Sequence, residues 1–324
     1  MLRWGLRRDD EGPFFMYFVR VRKRLIFASK NLLSIHAMNK IQSILTERWS
    51  INDADYASLL LSILPALKAG NLEAVERQLD ASKVMAYAVT QGAGPNVVTR
   101  WDLEDVNLPS NSVAVIASEG PLYSWDTYAL ERFLRLAADN PRIVGVVLWI
   151  NGPGGMIAHV DLAARAIREY PKPIATYVAG TMASAHFWLG TAAQHIFLAS
   201  PLCEVGSVGV MTRYLSLAGL FEKLGIVARD IYPDSADLKN YLSRQLEQGN
   251  EAPLKASLQQ VHLMFAQEVA QQLGVPYDPD LELYRGKLFT GQEAIDLGYV
   301  DQYGTLDDAI LWVFARGIAQ QTRR

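Results

Sequence analysis

From residue 112 onward, short apolar runs rich in β-branched residues alternate with longer segments of helical period, the pattern of repeated βαβ units. The runs predict strands at 113–117, 143–150, 174–179, 195–198, 206–211 and 227–232, with helices between them at 126–138, 156–169, 182–193 and 215–224. The run IVGVVLWI is apolar at consecutive positions, as expected for a strand buried on both faces in a parallel sheet covered by helices. A long amphipathic segment follows at 251–273, and a short α/β stretch closes the core near residue 313. Upstream the texture changes. Residues 39–90 carry Leu59, Leu60, Leu61, Ile63, Leu64 and Leu67 in an apolar pattern that predicts a helical appendage, with Asn52 or Asp53 as a cap. Residues 91–111 hold Gly, Pro, Asn and Ser in turn-like clusters and read as a linker. The expected organisation is a leader over 1–38, the appendage over 39–90, the linker over 91–111, an α/β core over 112–316 and a tail over 317–324.

Composition narrows the class without choosing it. Of 324 residues, 50% are hydrophobic and 20% charged, a globular composition with room for a large core. The 31 basic and 34 acidic residues give a formal charge of −3, so nothing attracts polyanions globally and nucleic acid is not an expected partner. Cys203 is the single cysteine, which permits neither an intramolecular disulfide nor a thiolate metal cluster. Neither an H-E-x-x-H motif nor a Cys/His cluster occurs, so no metal or other cofactor is expected. In the first 38 residues, Arg20, Arg22, Lys23 and Arg24 interrupt the aromatic run well short of the ~20 apolar residues a spanning helix needs. That stretch could at most rest weakly on a membrane surface, and the expected location is the cytoplasm.

Two segments carry candidate chemistry. Asn151-Gly152-Pro153-Gly154-Gly155 lies between a strong strand and a helix, where glycines permit a tight turn and close backbone approach. Amides there, near a helix N-terminus, suit either a phosphate or an oxyanion, although the spacing is neither a Walker loop nor G-x-G-x-x-G. Gly180-Thr181-Met182-Ala183-Ser184-Ala185-His186 again follows a strand and opens a helix, with one serine among small residues. Ser184 reads as a nucleophile or as a helix cap. Both loops leave the carboxyl ends of consecutive strands, where ligands bind in open α/β sheets. His186, two residues after Ser184, is not on the same helix face and is not expected to accept its proton. His159 and His195 read as packing or surface residues, and no Ser-His-Asp set is supported.

Over about residues 112–313 the chain resembles the signal peptide peptidase A (protease IV) family and the single-copy capsid-maturation proteases of tailed-phage heads. The carrying motifs are VVLWINGPGG, TMASAHFW, EVGSVGV with Met211, FEKLGI and FTGQEAIDLGYVDQYGTLDDAI, in that order. The resemblance implies a ClpP/crotonase-like fold and a serine endopeptidase with a Ser–Lys dyad. Carried over residue by residue, Ser184 is the nucleophile, Gly154 and Gly155 supply oxyanion amides, and Gly206 to Val210, with Ser207, Val208 and Gly209, form a substrate-binding wall. Gly152 stands where the family usually has Ser. The family places its lysine after the strand matching 227–232, commonly in a G-x-x-K context. Here the sequence is IYPDSADLKNYLS, and Lys239 is the candidate base.

A lysine base must lose its proton near neutral pH, which requires an apolar, partner-free pocket that lowers its pKa from about 10.4. Asp234 and Asp237 would oppose this if they met the ammonium. Lys223, Lys255 and Lys287 match no active-site position. The implied mechanism has a polypeptide substrate paired to the 206–210 segment, Lys239 deprotonating Ser184, and the amides of Gly154 and Ala185 holding the oxyanion. A single core copy also implies a homo-oligomer in which neighbours complete the groove, with 251–273 as an interface element. The alternative is a non-catalytic oligomeric scaffold that keeps the fold after losing its base.

Overall fold

The computed structural model describes residues 84–91, 98–214 and 231–323 in continuous runs, with shorter pieces at 40, 49–50, 61–66, 68–69, 71–79 and 225. The leader, the 215–224 helix and most of the 227–232 strand lie outside the described residues. The chain divides into two compact units, Met1–Thr46 with Leu59–Asp80, and Glu47–Ser58 with Ala81–Arg324. In the first, residues 61–66 and Leu72–Leu79 are helical, as the leucine pattern predicts.

The second unit is mixed α/β around a sheet of nine described strands. Its path runs β10 (Leu288–Thr290), β9 (Glu204–Gly206), β7 (Ile174–Ala183), β5 (Ile143–Gly152), β4 (Ser112–Glu119), β2 (Met85–Gln91) and β3 (Val98–Trp101). Off this path, β8 (Ile196–Leu198) pairs with β7 and with β11 (Gln302–Tyr303). The central pairs β4/β5, β5/β7 and β7/β9 are parallel, and antiparallel strands close both edges. This is the parallel-rich α/β sheet the apolar runs predict. Two expectations at its start are corrected. Met85–Gln91 is a strand paired to β4 rather than the end of the helical appendage, and the expected linker contains β3. The signal for β2 is the β-type alternation of MAYAV, which a helical reading of the leucines upstream overrides.

Alternation along the central strands splits the core into two layers. Ala114, Ile116, Val146, Leu148 and Ile150 face a large cluster shared with the helices Ser124–Asp139, Val160–Arg168, Ala185–Gly190 and Ala252–Leu273. Val113, Val115, Val144, Val147 and Ala175 face the helix Leu306–Gln321 through Ala309 and Val313. Gly145 lets this last helix approach, since a Cβ there would lie 2.4 Å from Val313 Cγ1 and 2.5 Å from the Pro173 carbonyl.

Candidate active site

The site forms where β5 and β7 end. Ser184 follows β7 and precedes the helix Ala185–Gly190, with φ 57° and ψ −119°. This left-handed backbone is strained for a serine. The turn is held from below by the Ser184 N–H, which donates to the Gly206 carbonyl at 2.7 Å. The residue is almost fully buried, and its side chain makes no helix-capping bond. The cap reading of Ser184 is therefore set aside; its Oγ lies 3.5 Å from the Gly209 carbonyl. The Ala185 N–H belongs to the first turn of the helix, where amides have no intrahelical acceptor.

The glycine turn differs from expectation in one respect. Gly154 and Gly155 do not open a helix: Gly155–Met156 is a short strand, β6, and the helix starts only at Val160. The Leu122 N–H donates to the Gly154 carbonyl and the Met156 N–H donates to the Leu122 carbonyl, both at 2.8 Å. The approach is so close that a Cβ on Gly155 would lie 1.9 Å from the Leu122 carbonyl oxygen. In a trans peptide the C=O and the next N–H point opposite ways. The Gly155 N–H therefore faces away from Leu122, toward the edge where β1 (Trp49–Ser50) pairs antiparallel with β6, Ser50 opposite Gly155. The Gly154 N–H, expected to serve an oxyanion, instead donates to His186 Nδ1 at 3.1 Å.

His186 is the residue whose place the sequence did not suggest. It is fully buried, and burial lowers its pKa to about 4, so the ring is neutral. Its Nε2 lies 2.9 Å from Ser118 Oγ at the end of β4. Both ring nitrogens are thus engaged with Gly154 and Ser118 rather than with Ser184. The ring also accounts for Gly152: a Cβ there would lie 2.5 Å from His186 Cε1 and 2.4 Å from the Gly120 carbonyl oxygen. The signal available in the sequence was the pairing of an unusual glycine at 152 with a histidine among small residues. Asn151 ties the two loops together, its Oδ1 accepting from the Thr181 N–H at 3.1 Å.

The expected strand at 206–211 is largely absent. Only Glu204–Gly206 is a strand, and β7 and β10 occupy both its edges. Ser207, at φ 56°, donates its N–H to the Lys287 carbonyl at 2.7 Å, and Val208 is buried. Ser207, Val208 and Gly209 thus pass beside Ser184 as a non-strand segment. Cys203 is buried, with Sγ 3.6 Å from the Val178 carbonyl, in a packing role.

Lys239 lies apart from this buried ensemble in character. It follows the 3₁₀ turn Asp234–Ala236 and is exposed, its N–H donating to the Ala236 carbonyl. The apolar burial that a lysine base requires is not supplied around it by the described residues. Lys287 passes close to Gly206 and Ser207 through its backbone, but its ammonium pairs with Glu282, and this hydrogen bond raises its pKa. His195 contacts Asp301 and stacks on Trp312, and His159 meets the Tyr128 hydroxyl. Among the described residues no group of three metal-ligating side chains occurs. No described helix is long and apolar enough to cross a membrane.

A strained, non-capping serine beside a rigid glycine turn at the carboxyl end of a parallel sheet has the arrangement used for acyl transfer at serine. Comparison with known proteins agrees with that class. Residues 166–316 match the model of peptidase family S49. A signal peptide peptidase SppA of Enterococcus faecium is 29% identical over 280 residues, covering 81% of this chain and 79% of that protein. Capsid assembly protease C of Escherichia phage lambda is 29% identical over 216 residues, covering 62% of this chain and 48% of that protein. Protease 4 of Haemophilus influenzae is 22% identical, covering 64% of this chain and 35% of that protein. Among solved structures, an enoyl-CoA hydratase/isomerase family member is similar at 15% identity, covering 75% of this chain and 76% of that one, with a TM-score of 0.40. A ClpP1 mutant from Listeria monocytogenes is similar at 13% identity, covering 60% and 94%, with a TM-score of 0.38. Residues 166–316, just under half of the chain, are thus similar to peptidase family S49. The chain's relatives include both signal peptide peptidases and a phage capsid protease, and it spans about half or less of the lambda and Haemophilus proteins.

Proposed function

We propose that the protein is a serine endopeptidase in which Ser184 attacks a peptide carbonyl and forms an acyl-enzyme that water then hydrolyses. The observation that carries this reading is the Ser184 turn: a buried serine, at φ 57°, that caps nothing. The oxyanion would be held by the N–H groups of Gly155 and Ala185, the former released when substrate takes the place of Ser50, since the Gly154 N–H is already committed to the buried His186. Removing one such donor typically lowers kcat about 10²–10³-fold.

The substrate would bind as an extended strand. Both edges of Glu204–Gly206 are held by sheet strands, whereas the outer edge of β6 is covered only by the two-residue segment Trp49–Ser50, whose place an extended peptide would take. That pairing supports β6 as the edge on which a peptide adds by main-chain bonds, in place of the 206–210 segment.

Lys239 would be the base once it is covered. Leu238 and Tyr241, next to it in the chain, are exposed apolar side chains, so a second copy of this chain seated there would remove both the apolar surface and the lysine from water. The reading is thus of a homo-oligomer whose neighbour completes the site, acting on polypeptide and using no cofactor. The test is hydrolysis of an unstructured protein or fluorogenic peptide by the assembled protein. Ser184→Ala is expected to lower kcat about 10⁴-fold or more with the melting temperature unchanged. Retained activity in that variant would overturn the assignment.

A further inference from the structure

Gly154 is pinned at both ends. Its carbonyl accepts from the Leu122 N–H at 2.8 Å, and its N–H donates to His186 Nδ1 at 3.1 Å. Its φ is +99°, so the direction of the next amide, that of Gly155, depends on how this one residue is held. A backbone N–H can only donate, so Nδ1 must be the unprotonated nitrogen. Nε2 then carries the proton and donates to Ser118 Oγ at 2.9 Å, which locks the ring at its far side.

His186 belongs to the same turn as the nucleophile, two residues after Ser184, and reaches across to the glycine loop 32 residues upstream. The imidazole fills the space beside Gly152 that any side chain at that position would take. The ring is fully enclosed, so water does not replace it as an acceptor for the Gly154 amide. The nucleophile turn and the donor loop are thereby joined by one hydrogen bond, and a shift of either moves the other.

We infer that His186 is a positioning residue for the oxyanion site: its Nδ1 holds the Gly154 amide so that the adjacent Gly155 N–H faces the reacting carbonyl. It touches no substrate atom and takes no proton in the reaction. This inference rests on Ser184 being the nucleophile.

Two substitutions separate the ring's two bonds. In His186→Asn, Oδ1 stands close to the place of Nδ1 and keeps an acceptor for the Gly154 N–H, while the bond to Ser118 is lost. In His186→Gln, the longer side chain reaches Ser118 and leaves the Gly154 N–H without its acceptor. For peptide hydrolysis by the full-length assembled protein, His186→Asn is expected to keep kcat within about 5-fold of the parent. His186→Gln is expected to lose about 10²-fold in kcat, the size of one misaimed oxyanion donor, with KM little changed. Equal losses in the two variants, or a loss that follows melting temperature rather than the Asn/Gln difference, would overturn the inference. A measurement on the unsubstituted protein covers the case in which the variants do not fold. Nitrogen NMR of ¹⁵N-histidine-labelled protein should show His186 as the neutral Nε2–H tautomer across pH 5–8. An Nδ1–H tautomer would contradict the inference, because a protonated Nδ1 cannot accept from Gly154. Ser184→Ala run in parallel distinguishes the failures: activity surviving there removes the nucleophile, whereas loss there with equal Asn and Gln variants removes only His186.

Discussion

The two halves of the proposed site are built differently. Ser184, Ala185, His186, Gly154 and Gly155 lie on or against the central sheet, buried, with the Ser184 N–H bonded to Gly206, the Gly154 carbonyl to Leu122 and the Gly154 N–H to the His186 ring. Lys239 stands in an exposed turn among exposed apolar neighbours, tied to the chain by a local bond to Ala236. Nucleophile and oxyanion donors need fixed geometry to act without reorganisation, and a packed core provides it. A lysine base needs desolvation instead, which a neighbouring copy can deliver on assembly. Under the proposed roles, the rigid half of the catalyst lies inside one chain and the other half depends on association.

The largest effects should sharpen this contrast. Lys239→Met keeps the length of the stem and removes the amine, and should lower kcat about 10²–10⁴-fold, the usual contribution of a general base, without changing the melting temperature of the isolated chain. Steady-state hydrolysis beside thermal melts checks both parts. Unchanged turnover would show that Lys239 is only a surface residue and would leave the base to be found elsewhere.

Substitutions in the buried half should instead cost stability. Gly152→Ala places a methyl 2.4 Å from the Gly120 carbonyl oxygen and 2.5 Å from His186 Cε1. Backbone cannot yield there cheaply, so a loss of about 3 kcal/mol is expected in denaturant unfolding, at the upper end of ordinary overpacking. A neutral substitution would show that the turn can relax and that His186 is less tightly seated.

The smallest effect is one of pH. Burial lowers the pKa of His186 to about 4, against 6.5 for a free imidazole. Between those values the unfolded chain binds the proton and the folded chain does not, so stability must rise with pH across that window. The contribution is complete above about 6.5, declines as pH falls toward 4, and amounts at most to about 3 kcal/mol. In unfolding series from pH 7 to 4.5, His186→Asn should flatten this slope. An unaltered slope would mean that other groups set it.

The βα alternation, the parallel character of the sheet and the position of the glycine- and serine-bearing loops at the ends of β5 and β7 were legible because both-face apolar runs and turn residues report local physics directly. Met85–Gln91 was not, because the short β-type alternation of MAYAV is outweighed by the helical leucine pattern upstream, and the strand is fixed by pairing with β4, 24 to 32 residues away in sequence. The segment after Gly206 reads as β-branched and extended, but β7 and β10 already occupy the two edges available at Glu204–Gly206, and the backbone turns at Ser207. At the site, the residue types were readable while the direction of the amides was not. The trans peptide between Gly154 and Gly155 and the clamp from Leu122 decide which N–H is offered, and His186 decides which is withdrawn.

The central claim, that Ser184 is a reactive nucleophile held by a preformed turn, is tested most directly by treating the assembled protein with a fluorophosphonate and mapping the adduct by mass spectrometry. One phosphonyl group per chain on Ser184, blocked by prior incubation with a peptide substrate and absent in Ser184→Ala, is the expected result. A protein that hydrolyses peptide yet carries its adduct on another serine would contradict the account, as would one that stays unlabelled at Ser184 in its assembled state.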